Sequence, residues 1–498
     1  MYRMAVPGQL KIEIPFNVEL NSESKWVKLA DMIPWTRIEA DYVKHFHGNE
    51  GQVAKSARLA FGALYIQSTE GFTDEKTREH IRENPHMQFF CGFEHYQTEP
   101  PFDASMMVHF RKRIPAEMIM AITEEVFAAE ALTLMDAPEP EPETEVPEEN
   151  NGTPDIAENG ESSVSGETQS NRGTLILDAT CCPQDIRYPT DVGLLNHARE
   201  ILELIIDILF RSVSALYDNK PRTYRIVARK DFLAYSKTRK MTKKSIRKHI
   251  RKQLQYVARD LRIINDLIIK GASLSLLPEQ LHKKLLVIEE VYRQQKEMYD
   301  TRTNRCAGRI VSISQPHVRP IVRGKDHAPT EFGAKVALAL VGGYAFITEI
   351  SWDNIAEASL LTEAAEQYKR MFGFYPKVII GDAIYPNRDN RAWCKERGIR
   401  LSGPRLGRKN EDTKREEAKQ IYQDGCDRNA IEGSFGTVKR KYSLDRIMAK
   451  LPDTSRTAIA MGFFVANMER KLRLLFVPNF SSYVFYDFQL MRLVVCEG

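Results

Sequence analysis

No run of apolar residues in this 498-residue chain approaches the ~18 uninterrupted positions that a membrane-spanning helix needs. The longest candidates, around Val336–Ile350 and Ile459–Met468, are too short or are interrupted by charge, so no membrane span is expected. The opening stretch MYRMAVPGQLKIEIPF has no basic segment leading into an apolar one, and no secretory signal is expected. Cysteine is scarce: seven residues, an odd number, with no CxxC pair. That excludes a disulfide framework and a cysteine-based zinc site, and a reducing, cytoplasmic setting follows as the expectation. Self-similarity at a 20–50-residue period is also missing, which excludes a solenoid.

Charge is present but segregated. The strip 136–171 carries 11 acidic residues, no Lys or Arg and no aromatic residue. Without it the formal net charge of the remainder rises from +4 to +15. A basic body with an acidic strip points to a polyanionic partner, most often nucleic acid. The strip is rich in Pro, Glu, Ser, Gly and Asn and cannot bury enough surface to offset the entropy of ordering. Residues 136–172 are therefore predicted to be a disordered linker, separating residues 1–135 from residues 173–475. A tail, 476–498, follows.

Residues 1–135 read as a helical DNA-binding domain. Val53, Ala57, Ala60, Phe61 and Leu64 recur at helical spacing. Thr73-Asp74 is placed to cap a helix running to about Glu83, and Pro85 opens another. After Pro100-Pro101, Asp103 is predicted to cap a last short helix, Ala104–Ile114, which ends in Arg111-Lys112-Arg113. Short helices, tight breaks and a basic final helix fit a helix-turn-helix reader of DNA, with Arg111 and Arg113 as contacts; a plain helical bundle with a solvated basic end fits as well.

After the strip the pattern becomes α/β. Strands are predicted at Thr174–Thr180, Ile310–Ser314, Lys335–Leu340, Tyr344–Ile350, Lys377–Gly381 and Ile399–Ser402, with helices at Ile355–Phe372, near Asn390–Arg397, and from Arg428. Between the first and second strands, residues 191–303 read as a basic helical insertion. Residues 220–270 hold 17 Lys or Arg against three Asp and no Glu, a net of +14. Lys243, Lys244, Arg247 and Lys248 are taken as contacts within this run, suited to phosphates rather than to base sequence.

Two carboxylates end apolar strands, Asp178 after TLIL and Asp382 after KVIIG. In α/β sheets ligand sites lie at that edge, and a charge buried there unpaired would be costly; capping of the following loop is the plainer alternative. In RNAIEGSFGTVKRKY, Arg428, Glu432 and Lys439 fall at about 0°, 40° and 20° around a helix. Ile431, Phe435, Val438 and Tyr442 form the adjoining apolar stripe, which would seat the helix on the sheet. Two aspartates and a glutamate can hold a pair of Mg²⁺ ions, with Mn²⁺ as a substitute, and drive in-line phosphodiester transfer. Arg428 and Lys439 would hold DNA phosphates. Asp185, Asp191, Asp389 and Asp445 read as turn or capping residues, and Glu331 with Lys335 as a structural pair.

These segments resemble the DDE transposases of bacterial insertion sequences, in the group with a Tyr-Arg-Glu-Lys signature around the catalytic Glu. The resemblance rests on LILDAT, VRPIVRGKDHAPTEFGAKV, VIIGDAIYP and RNAIEGSFGTVKRKYSLDRI, and on GFTDEKTREHIRENPHMQFFCGF and PPFDASMMVHFRKRI in residues 51–114. The signature departs at its first position, where Gly425 replaces the usual Tyr; Tyr422 is the nearest tyrosine. The resemblance implies a ribonuclease H-like catalytic core over 173–475, and Asp178, Asp382 and Glu432 as catalytic residues. It further implies double-stranded DNA partners (element ends and target), self-association on that DNA, and a nucleoid-associated enzyme that cuts and joins DNA. A catalytically inactive regulator of transposase descent, or a metal-dependent nuclease without strand transfer, are the alternatives.

Overall fold

The computed structural model describes residues 20–46, 53–135, 170–322, 330–404 and 411–495, with side chains described except at 411–414 and 476–495. Most of the predicted linker, 136–169, lies outside the described residues.

Seven helices occupy the described N-terminal part: α1 (Lys25–Met32), α2 (Trp35–Val43), α3 (Ala57–Glu70), α4 (Asp74–Glu83), α5 (Pro85–Phe90), α6 (Met106–Arg113) and α7 (Ala116–Met135). Their boundaries follow local chemistry. Thr73 caps α4 by accepting the Lys76 N–H at 3.3 Å, and Asn84 caps α5, whose first residue is Pro85. Asp103 does not cap α6: its side chain accepts the Ser105 N–H, closing a turn one step earlier. Nor is α6 the last helix, because the Ala-, Glu- and Met-rich run after Pro115 forms the 20-residue α7.

The sheet of the described residues has six strands: β1 (Thr174–Pro183), β2 (Arg319–Val322), β3 (Thr330–Val341), β4 (Tyr344–Ser351), β5 (Val378–Ile380) and β6 (Arg400–Leu401). β3 lies antiparallel to β1 on one side and to β2 and β4 on the other, while β5 and β6 continue the sheet parallel to β1. The fold is thus α/β with a mixed sheet. Gly342 and Gly343, at φ 56° and 79°, close the β3–β4 hairpin as a two-residue turn. At Gly333 a Cβ would stand 2.1 Å from the Cys182 carbonyl oxygen, so only glycine lets β3 approach β1 there.

Between β1 and β2 comes the insertion: α8 (Asp191–Val213), α9 (Arg225–Lys237), α10 (Lys243–Ile269) and α11 (Glu279–Thr301). Ile310–Ser314 is not a strand. Ile310 and Ile313 instead plug the core of these helices, and the Ile310 N–H donates to Gln294. The strand before β3 is β2, further along. Beyond β4 come α12 (Leu361–Phe372), α13 (Arg388–Glu396), α14 (Glu411–Lys441) and α15 (Pro452–Val495). α14 begins 17 residues before Arg428, and the backbone expected as a tail from 476 continues as helix to Val495.

Two separate cores result. One joins the N-terminal helices, the sheet and α15. Phe464 on α15 meets Phe61 at 5.5 Å, Tyr65 at 6.2 Å and Phe127 at 5.9 Å between ring centroids. Asn467 bonds both the N–H and the carbonyl of Ala345 in β4. The other core lies within the insertion, around Leu202, Ile205, Leu209, Val257, Ile264 and Ile288, and is closed by Ile310 and Ile313 just after it.

Candidate active site

The parallel ladder places the two aspartates side by side. Ile176 of β1 pairs with Ile380 of β5, and Asp178 and Asp382 each lie two residues further on. Adjacent strands stand about 4.8 Å apart, so the register brings both carboxylates to one spot. β1 runs on past Asp178 to Pro183, pairing there with β3 alone; Asp178 ends the parallel ladder, not the strand. Each aspartate accepts the N–H of the next residue at 2.7 Å, Ala179 and Ala383 respectively.

α14 crosses this edge. Ile431, Phe435, Val438 and Tyr442 are all buried, which seats the helix on the sheet as their spacing predicts. Arg428 and Glu432, one turn apart beside that stripe, then reach the aspartates. The Arg428 guanidinium lies 3.2 Å from Glu432, 3.6 Å from Asp382 and 4.0 Å from Asp178. Three carboxylates from two strands and a helix therefore converge on one cation. Lys439 lies further along, close enough to Cys181 of β1 to favour its thiolate, while burial and Glu331 push that thiol up. Gly425 sits one turn before Arg428 with nothing within 4 Å of a Cβ built there, and Tyr422 is exposed.

Burial pushes the Asp178 carboxyl up to about 6; Glu357 and Asp382 push the same way, against the Ala179 N–H and Arg428. Glu357 was not visible as a site residue in the sequence. It follows β4 and pairs at 2.7 Å with Lys335, a buried lysine of β3 that also donates to the Ile355 carbonyl. The buried lysine was the signal: it requires an acid, and Glu357 is placed to neutralise it. Tyr385, buried behind the site, is pushed up by burial and then by Glu357, Asp178 and Asp382.

The other acids take structural positions. Asp185 pairs with Arg446 at 2.7 Å, and Asp191 with Arg309 at 2.7 Å. Asp389 lies in the first turn of α13, whose cap is Asn387, and Asp445 is exposed in the turn after α14. Among the cations expected to meet DNA, Lys243, Lys244 and Lys248 are exposed at the start of α10, and Arg247 lies over the Tyr299 ring at 3.9 Å. Arg111 is a correction. It is buried, pairs with Asp74 and donates to Gln67 at 2.7 Å, so it holds α6 to α3 and α4 rather than meeting solvent. Arg113 lies over the Phe46 ring at 4.6 Å.

In kind, the donors suit a hard divalent cation, which takes carboxylate oxygens. In arrangement they do not: among the described residues no three acids form a group that could hold a metal ion, and the Arg428 guanidinium lies among these three.

Residues 379–469 match the family described as a transposase DDE domain, and residues 16–113 match one described as a transposase domain (DUF772). The first match contains Asp382 and Glu432. Together they mark an insertion-sequence DDE transposase as the kind of protein this chain resembles. A relative, an uncharacterized protein encoded as ORF8 in the nfe locus of Rhizobium meliloti, is 41% identical over 95 residues. That alignment covers 19% of this chain and 45% of the relative, so the chain spans less than half of the relative's length. No solved structure matches the chain. Among the described residues no helix is long and apolar enough to cross a membrane.

Proposed function

We propose that this chain is a transposase that binds the inverted repeats at the ends of its element, cuts there and joins the freed 3′-hydroxyl to target DNA. The observation that carries the reading is the convergence of Asp178, Asp382 and Glu432 on one guanidinium, from the end of the parallel β1–β5 ladder and a helix seated over it. A mixed sheet with antiparallel β1, β3 and β4 followed by parallel β5 and β6 supports a ribonuclease H-like core. Residues 1–135 form the DNA-binding unit of the proposal, 173–475 the catalytic unit and 191–303 its basic insertion. Double-stranded DNA is the partner, with self-association on it, in a cytoplasmic, nucleoid-associated setting.

The acids and cations divide the chemistry. Asp178, Asp382 and Glu432 would hold a hard divalent ion, Mg²⁺ or Mn²⁺, once Arg428 no longer lies among them; a bound ion would supply activation of the attacking oxygen and stabilisation of the leaving one. Arg428, as a planar fork, and Lys439, as a point charge, hold strand phosphates in line. Lys243, Lys244, Arg247 and Lys248 hold the flanking duplex without reading bases.

The test is cleavage and joining of a labelled repeat-end duplex with Mg²⁺ or Mn²⁺. Asp178→Asn, Asp382→Asn and Glu432→Gln keep shape and remove charge. Each is expected to lose activity by several orders of magnitude, as electrostatic and metal contributions of this size imply, while duplex binding persists. Asp445→Asn is expected to remain active. A parent protein that binds the duplex but never cuts it is a regulator; one that cuts without joining is a nuclease.

A further inference from the structure

Arg428 stands where three carboxylates would otherwise face one another. Its Nη1 lies 4.0 Å from Asp178 and 3.6 Å from Asp382, and its Nη2 lies 3.2 Å from Glu432. A guanidinium keeps its charge at any working pH and donates in a fixed fork. A divalent ion drawn to the same acids binds carboxylate oxygens at about 2.0–2.6 Å, which would leave the two cations only a few ångströms apart. At that separation in a partly buried site their repulsion is large. Arg428 thus lies between α14 and the end of the β1–β5 ladder, within 4.0 Å of all three acids, and among the described residues no three acids form a group that could hold a metal ion.

We propose that Arg428 is the resident cation of this acidic cluster, competing with divalent metal and giving way to it when a strand phosphate draws the guanidinium off. The inference rests on the reading of these three acids as the metal-holding set. It adds a regulatory role to a residue otherwise assigned only to phosphate contact. The free chain would hold metal weakly, and a phosphodiester anion would be the signal that releases the acids. The side chain is suited to such a move: it is partly exposed, on an unbranched stem at the helix surface. It is also a full turn from Glu432, so it can leave while the glutamate stays.

The full chain, free of DNA, is titrated with Mn²⁺, and the free ion is read by electron paramagnetic resonance. Arg428→Gln is expected to bind Mn²⁺ about tenfold more tightly than the parent, or more, because a like charge some 4 Å away has been removed. Arg428→Lys keeps the charge and is expected to stay close to the parent. Adding Asp382→Asn to Arg428→Gln is expected to abolish the gain, which ties it to this site. Circular dichroism checks the helices; Arg428→Met, which keeps the aliphatic stem, replaces the Gln variant if that one loses them. If the parent binds Mn²⁺ and Arg428→Gln binds equally or more weakly, the resident-cation inference is wrong and the metal-holding triad stands. If neither binds Mn²⁺, the inference falls together with the reading of the acids.

Discussion

The N-terminal helices and the insertion both look like additions to the central sheet, yet they are held in opposite ways. The N-terminal helices share their core with the sheet and α15: Phe61, Tyr65 and Phe127 all meet Phe464, and Thr457 of α15 donates to the carbonyls of Arg111 and Ile114. The insertion buries its own leucines and isoleucines against each other. A unit with its own core can loosen or re-aim without disturbing its neighbour, whereas a unit that shares one cannot. The chain is therefore built to keep its N-terminal helices fixed to the sheet and α15 and to leave the basic insertion mechanically distinct.

The sharpest way to break that comparison is to cut each core once. Phe464→Ala removes a ring from the shared core and is expected to cost about 3–5 kcal/mol. Hydrogen exchange should rise together in α3, α7 and β4, with α10 unchanged. Ile264→Ala, in the insertion core, is expected to cost about 2–5 kcal/mol and to raise exchange in α8, α10 and α11 only. If Ile264→Ala also loosened α3 or β4, the two cores would be one cooperative unit after all.

The two regions also differ in how they hold charge. At the sheet edge each acid has a cation or an N–H beside it. In the insertion Asp260 is fully buried, and neither of its oxygens has a hydrogen-bond partner among the described residues. Burial, and then Glu203, push its carboxyl up to about 7, against the pull of Arg259, Arg199 and Arg225. A carboxyl raised in the folded state stabilises it fully below its ordinary value of 3.8, and the contribution drains away as pH rises to about 7. The insertion should therefore melt at lower temperature at pH 8 than at pH 5. Between pH 5 and pH 8 the loss is at most about 3 kcal/mol, at 1.36 kcal/mol per pKa unit. Asp260→Asn should flatten the difference in calorimetry. A parent whose insertion is equally stable at both pH values would mean that Asp260 is ionised and paired.

Local chemistry was legible in the sequence, and pairing at long range was not. The Thr73 cap, the Pro85 start and the Ile431–Phe435–Val438–Tyr442 stripe follow from neighbours within two turns. The alignment of Asp178 with Asp382 was half legible: both follow apolar runs, but only the parallel ladder sets them in register, and β1 continues past Asp178. The first half of α14 carries no apolar stripe, so periodicity could not find it. Ile310–Ser314 is apolar enough for a strand, but its isoleucines serve the insertion core. Arg111 shows the limit most clearly. In sequence it belongs to a basic run; in space it belongs to Asp74, 37 positions away.

Arg111 and the lysines of α10 then give the finest test, because both looked like DNA contacts and only one group is exposed. Replacing Lys243, Lys244, Arg247 and Lys248 with Ala removes phosphate contacts that release counterions. Each lost contact lowers the slope of log affinity against log salt by about 0.9. Three exposed lysines, with Arg247 partly engaged on Tyr299, should lower it by about 2–4 in total, and weaken binding similarly on any duplex sequence. Arg111→Ala should leave the slope unchanged while lowering the melting temperature, because it removes the buried cation that ties α6 to Gln67 of α3 and Asp74 of α4. The reverse result, a flat response to the lysine changes and a shallower slope for Arg111→Ala, would place the duplex on the N-terminal helices and leave the insertion facing solvent.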